Sequence, residues 1–138
     1  MTVEILDTKV SLVSVDYKYL DIFIGVFNKY VLCSRDKDLF FSLTINNPEI
    51  SLIVNWTLSP YFTLLPNVTI IDTYRIAKIY EDQELLTHIG IVKSISSIFS
   101  DNNIPILYIN SYGNNYVLFE DQYLDRVNNV IDDINANK

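Results

Sequence analysis

Apolar positions along this chain switch between the two-residue period of a strand and the wider period of a helix, and the switches outline its elements. Residues 3–15 hold Val3, Ile5, Val10, Leu12, Val13 and Val15 in an alternating, β-branched run, which predicts a strand bent near Asp7-Thr8. Asp16 stands where it caps the next element. Leu20, Phe23, Phe27 and Tyr30 then recur at the spacing of one helix face. Residues 34–38 form a polar loop. Residues 40–45 and 50–54 predict a hairpin turning on Asn46-Asn47-Pro48. A short helix over 56–65 is bounded by Pro60 and Pro66. Strands follow at 68–71 and 75–80, then an acidic surface loop at 81–84.

The pattern then repeats. Thr87 is placed to cap a helix whose apolar face is Ile91, Ile95, Ile98 and Phe99, and residues 100–103 end it. A strand at 104–109 pairs with one at 115–119 across an Asn-rich turn. Asp121 caps a last helix with the face Leu124, Val127, Ile131 and Ile134. Each half therefore reads β-α-β-β-α, and a closing strand is visible only in the first. The order is that of a ferredoxin-like split βαβ unit. It predicts an α+β protein of two tandem repeats, 1–72 and 73–138, with antiparallel sheets and helices on one face of each. The second half runs out of residues before its last strand, so that strand is absent or supplied by another segment.

Composition narrows the function. At 138 residues and 49% hydrophobic content the chain builds a substantial core. The net charge of −7, with no basic stripe, argues against nucleic acid, because phosphate contacts need clustered Lys and Arg. No apolar run approaches the length that spans a bilayer. Residues 1–7 lack the basic and apolar regions of a leader, which places the expected location in the cytoplasm. Cys33 is the only cysteine, so no intramolecular disulfide forms, and its apolar neighbours predict a buried small hydrophobe.

Nothing in the sequence resembles a catalytic constellation. His88 is the only histidine and has no partner at metal-ligand spacing. Phosphate-cradling motifs are missing, and the chain has only three glycines. No metal, cofactor or catalytic residue is assigned. The segment 104–115 is the best candidate for function, because its turn sets hydroxyls, amides and Gly113 beside a strand end. An ordinary tight turn also selects Gly and Asn, for positive φ.

Two segments resemble a known family. Asp38-Leu39-Phe40-Phe41-Ser42-Leu43-Thr44 with Ser51-Leu52-Ile53-Val54 is similar to the first ACT repeat of the CASTOR-type cytosolic arginine sensors. Ile104-Pro105-Ile106-Leu107-Tyr108-Ile109-Asn110-Ser111-Tyr112 with 115–124 is similar to the second. The resemblance covers nearly the whole chain in collinear order and corresponds to the N-terminal half of that family. It implies tandem ACT repeats, a non-enzymatic regulatory role in TOR signalling, a free amino acid as ligand (arginine above all) and a protein partner. By resemblance, Pro105, Ile106, Ser111 and Tyr112 bind the ligand, and Tyr112, Gly113 and Asn115 meet the partner. Two departures stand out. Pro105 replaces a hydroxyl residue and has no N–H to offer, and Asn115 replaces an acid. The family's fourth repeat is also missing, which makes a homodimer or a second chain the expected way to complete a site. The alternative reading is an ACT-type interaction module without ligand, using Trp56, Tyr61, Phe62, Tyr112 and Tyr116 as its surface.

Overall fold

The computed structural model describes residues 1–80 and 90–136. Thr87, His88 and the acidic loop at 81–84 lie outside them. The described chain is α+β: β1 (Thr2–Asp16), α1 (Leu20–Phe27), β2 (Phe41–Ile45), β3 (Glu49–Asn55), β4 (Thr69–Tyr80), α2 (Ile91–Asp101), β5 (Leu107–Asn110), β6 (Asn115–Glu120) and α3 (Leu124–Ala136). Two compact units form. One is Thr8–Tyr74; the other joins Met1–Asp7 to Arg75–Lys138.

In the unit Thr8–Tyr74 the hydrogen-bonded strand order is β2-β3-β1-β4. Register follows the apolar alternation, since a slip of one residue would turn every core side chain to water. Val13 faces Leu52, which faces Leu43; Val15 faces Ile50, which faces Ile45. Val13, Val15, Ile50, Leu52 and Val54 are all buried, and α1 covers them with Phe23 and Phe27. Phe23 stacks on Phe27 at 5.8 Å and tilts against Phe62 at 5.5 Å. Phe62 is thus a core residue, contrary to its expected place on an interaction surface.

The helix expected after Asp16 forms, in three parts. Asp16 accepts from the Lys18 N–H at 2.9 Å and caps a 3₁₀ turn, Tyr17–Tyr19. After α1 comes a π turn, Asn28–Leu32. That turn rotates Val31 into the core and leaves Cys33 exposed, so the thiol is not the buried hydrophobe its neighbours suggested. The short helix expected at 56–65 is a 3₁₀ turn, Ser59–Phe62, with Pro60 in its first positions.

The two strands expected at 68–71 and 75–80 are one, β4. Asp72 reads as a break in the apolar pattern, but its polarity is satisfied inside the unit. Its Oδ1 accepts from the Ser11 hydroxyl at 2.6 Å and from the Ser59 hydroxyl at 3.0 Å. Both serines are buried, and a buried hydroxyl needs such a partner. Asn55 is buried too: its side chain accepts from the Phe40 N–H (2.7 Å) and donates to the Asp38 carbonyl (2.9 Å).

In the other unit the order is β1-β4-β6-β5. The strand that the second half lacked is supplied by the first residues of the chain. Val3 enters a core with Ala77, Ile79, Val117 and Phe119, beneath Ile95 and Phe99 of α2 and Val127, Val130, Ile131 and Ile134 of α3. Asn135 accepts from the Val3 N–H at 2.9 Å and donates to the Val3 carbonyl at 3.1 Å. One side-chain amide thereby takes the place of a strand neighbour at Val3. Asp121 stands just before α3. It lies in a 3₁₀ turn, Asp121–Tyr123, and its carboxylate stands 3.6 Å from the Arg75 guanidinium.

Helix α2 ends in a Schellman motif. Asn103 takes the left-handed conformation (φ 57°), its N–H donates to the Ser100 carbonyl at 2.9 Å, and the Ile104 N–H donates to the Phe99 carbonyl at 3.0 Å. This closure explains why β5 begins at Leu107 and not at residue 104. The Ile104 N–H is spent on the helix and Pro105 has none, so neither donates to a ladder.

Two substitutions test these anchors. Asn135→Ala removes two partly buried hydrogen bonds and should cost about 1–2 kcal/mol in a urea titration, with faster exchange at the Val3 amide. Asn103→Val places a β-branched residue at positive φ and should cost roughly 1–2 kcal/mol, while Asn103→Gly leaves the urea midpoint within a few tenths of a molar.

Candidate functional site

The segment 104–115 divides into two places at opposite ends of β5. Four residues of strand rise about 10 Å between them. At the first end, the closed helix terminus and the chain leaving it form an open pocket of about 450 Å³. Ser96, Ser100, Asn103, Ile104, Pro105 and Ile106 line it. Ser96 and Ser100 are four apart on α2, hence on one face one turn above the other. Asn103 is held by its left-handed backbone, and Ile104 is buried against the core. One wall is therefore hydroxyl and amide, the other aliphatic. Pro105 and Ile106, expected to touch a ligand, both belong to this pocket.

Beyond the pocket, the Arg126 guanidinium donates to the carbonyls of Asn102 and Asn103, at 3.4 and 3.3 Å. Helix α2 carries no basic residue in its own last turn. Its terminal carbonyls have partial negative charge, and here they draw a guanidinium from α3.

At the second end, Asn110 pairs with Asn115 and the turn between them closes through the Ser111 N–H donating to the Asn114 carbonyl at 2.8 Å. Tyr112 is 92% exposed, far beyond any other large apolar side chain of the hairpin. Asn115 is buried at the strand start. Neither Gly113 nor Asn114 adopts positive φ; among the described residues the left-handed positions are Asn67, Gly90 and Asn103. Among the residues expected to bind a ligand, the structure brings Pro105 and Ile106 together and sets Ser111 and Tyr112 apart from them. Of those expected to meet a partner, Tyr112 and Gly113 lie in one turn, while Asn115 begins β6 and is buried, which removes it from a contact surface.

Ser96, Ser100 and Asn103 were not singled out from the sequence as site residues. The available signal was weak: two serines on the polar face of a helix, and an Asn one residue before Ile104-Pro105. Tyr80 has a raised pKa, first from lost hydration and then from the Glu4 carboxylate beside it, and lies at the end of β4, outside the pocket lining. Among the described residues no three His, Cys, Asp or Glu side chains converge to hold a metal ion, and no helix is long and apolar enough to cross a membrane.

Comparison with known proteins gives the arrangement its context. Residues 72–133 match the family model of the ACT domain. No curated protein matches the sequence significantly. Among solved structures, the fold is similar to aspartokinase alpha and beta subunits (TM-score 0.70, 13% identity, 95% of each chain covered). It is similar to the ligand-free regulatory subunit of aspartate kinase from Thermus thermophilus (0.64, 11% identity, 96% of each chain). A protein from Agobacterium tumefaciens is also similar (0.67, 15% identity, 96% of this chain and 87% of that one). The chain has an ACT-type α+β fold, with antiparallel strand pairs and packed helices, and an ACT domain match over residues 72–133.

Proposed function

We propose that this chain is a non-enzymatic regulatory module that binds a free amino acid at the α2 terminus and signals through protein contact. The observation that carries this is the pocket itself: Pro105 and Ile106 line it together with Ser96, Ser100 and Asn103, inside the stretch that matches the ACT domain. The hydroxyls and the amide suit the charged ends of an amino acid, and Ile104, Pro105 and Ile106 suit its aliphatic stem. An arginine-like ligand is what the sequence resemblance implies; the Arg126 guanidinium at the α2 terminus lies beyond the pocket. In this reading each compact unit is one ACT-like repeat, the repeats drawn along the sequence as 1–72 and 73–138, and the protein works in the cytoplasm. Self-association as a homodimer would use β5, which has β6 as its hydrogen-bonded neighbour on one side and is a sheet edge on the other. An arginine-sensor role in TOR signalling, like that of the CASTOR-type sensors, rests on sequence resemblance alone.

A second reading is favoured by Tyr112. An aromatic ring 92% exposed on a hairpin tip is the kind of side chain that anchors a protein interface. In that reading the module contacts a partner and binds no ligand.

Melting the purified chain against each of the twenty amino acids at millimolar concentration separates the two. A ligand at a hundredfold excess over its Kd stabilises by about 2.7 kcal/mol, which moves a domain of this size by several degrees. The expected outcome is a shift with arginine that Ile106→Asp removes. A flat response to all twenty rules out the ligand reading. Tyr112→Ala is expected to leave the arginine shift intact and to lower affinity for any captured partner at least tenfold; unchanged capture would count against the turn as a contact surface.

A further inference from the structure

A second cavity lies in the unit containing α2 and α3, of about 290 Å³, and shares no lining residue with the pocket at 104–106. Met1, Ile98, Val130 and Ile134 make its walls apolar; Asn102 and Asp133 stand at its polar side. The size is at the lower end of small-molecule pockets, about 300–1,000 Å³. We infer that this cavity binds a short aliphatic primary ammonium, with the hydrocarbon between α2 and α3 and the charge against Asp133.

Three observations point to a cation. Asp133 forms no hydrogen bond or ion pair among the described residues, so its carboxylate is available. Asn102 is the residue that ends α2, and its side-chain N–H donates to the Ile98 carbonyl at 2.8 Å. That leaves its own side-chain oxygen as an acceptor at the cavity. The two helices together carry Asp101, Asp125, Asp132 and Asp133 against Lys93 and Arg126; the Arg126 guanidinium is engaged with the Asn102 and Asn103 carbonyls, and the Met1 ammonium is the cation that the lining itself brings. An anion would meet carboxylate and helix C-terminus together, both unfavourable to it. A neutral alcohol would gain the apolar walls and at most an uncharged hydrogen bond to Asp133, without the ionic attraction.

The test uses methyl-labelled protein titrated with n-hexylammonium, n-hexanoate and hexan-1-ol, read by methyl NMR. Hexylammonium is expected to shift the methyls of Ile98, Val130 and Ile134 and to bind more tightly than hexanol, with hexanoate weakest. Asp133→Asn, at an exposed position that leaves the core untouched, should weaken hexylammonium about fivefold and leave hexanol unchanged. Val130→Phe fills the cavity and should abolish binding of both; if it does not fold, Asp133→Asn alone decides. Equal affinity for the three probes, or shifts centred on other methyls, overturns the inference.

Discussion

The pair of hydrogen bonds between the Asn135 amide and the Val3 peptide is the contact on which the unit containing α2 and α3 depends. A side chain near the end of the last helix acts there as a strand neighbour for the beginning of the chain. Without it, the Val3 peptide would lose both partners on one side, and an unpaired backbone group at a sheet edge is either solvated or costly. With it, Val3 and Ile5 add their side chains to the core that α2 and α3 cover. Helix α2 in turn lines the pocket at 104–106, and both helices line the cavity between them. The walls of these cavities therefore rest on residues more than a hundred positions apart.

Much of this was legible from periodicity. The faces Phe23 and Phe27, Ile95 and Phe99, and Val127, Ile131 and Ile134 were named from spacing and are buried. Hairpin positions followed from the Asn- and Pro-rich turns. Some of the misreadings come from partners far away in sequence. Asp72 looks like a break until Ser11, 61 residues earlier, is seen donating to it. The missing strand of the second half could not be assigned from that half, because its pairing partner is the chain start. Asn103 and the late start of β5 depend on one left-handed residue, for which Asn is permissive but not diagnostic.

The candidate site was legible in outline and not in composition. Segment 104–115, singled out as one candidate, is two places, and the polar lining of the first comes from Ser96 and Ser100 of the preceding helix and from Asn103 just after it. A strand of four residues is enough to separate a pocket from a turn. Spacing along a sequence states which residues are neighbours in the chain. Which of them share a surface is decided by where the strand begins, and here that is decided by a helix cap.

The division of the chain into Thr8–Tyr74 and a unit built from both of its flanks has a consequence for dissecting it. The first unit is an insertion within the second, so cutting the gene at its midpoint yields no intact pair of modules. A fragment starting near residue 75 would lack its outermost strand, and the fragment before it would carry an orphaned apolar overhang. The topology instead suits excision of the inserted unit, with Asp7 rejoined to Arg75 through a linker, or circular permutation. The natural unit of recombination in this protein is therefore a nested one, and its two units do not follow one another along the chain.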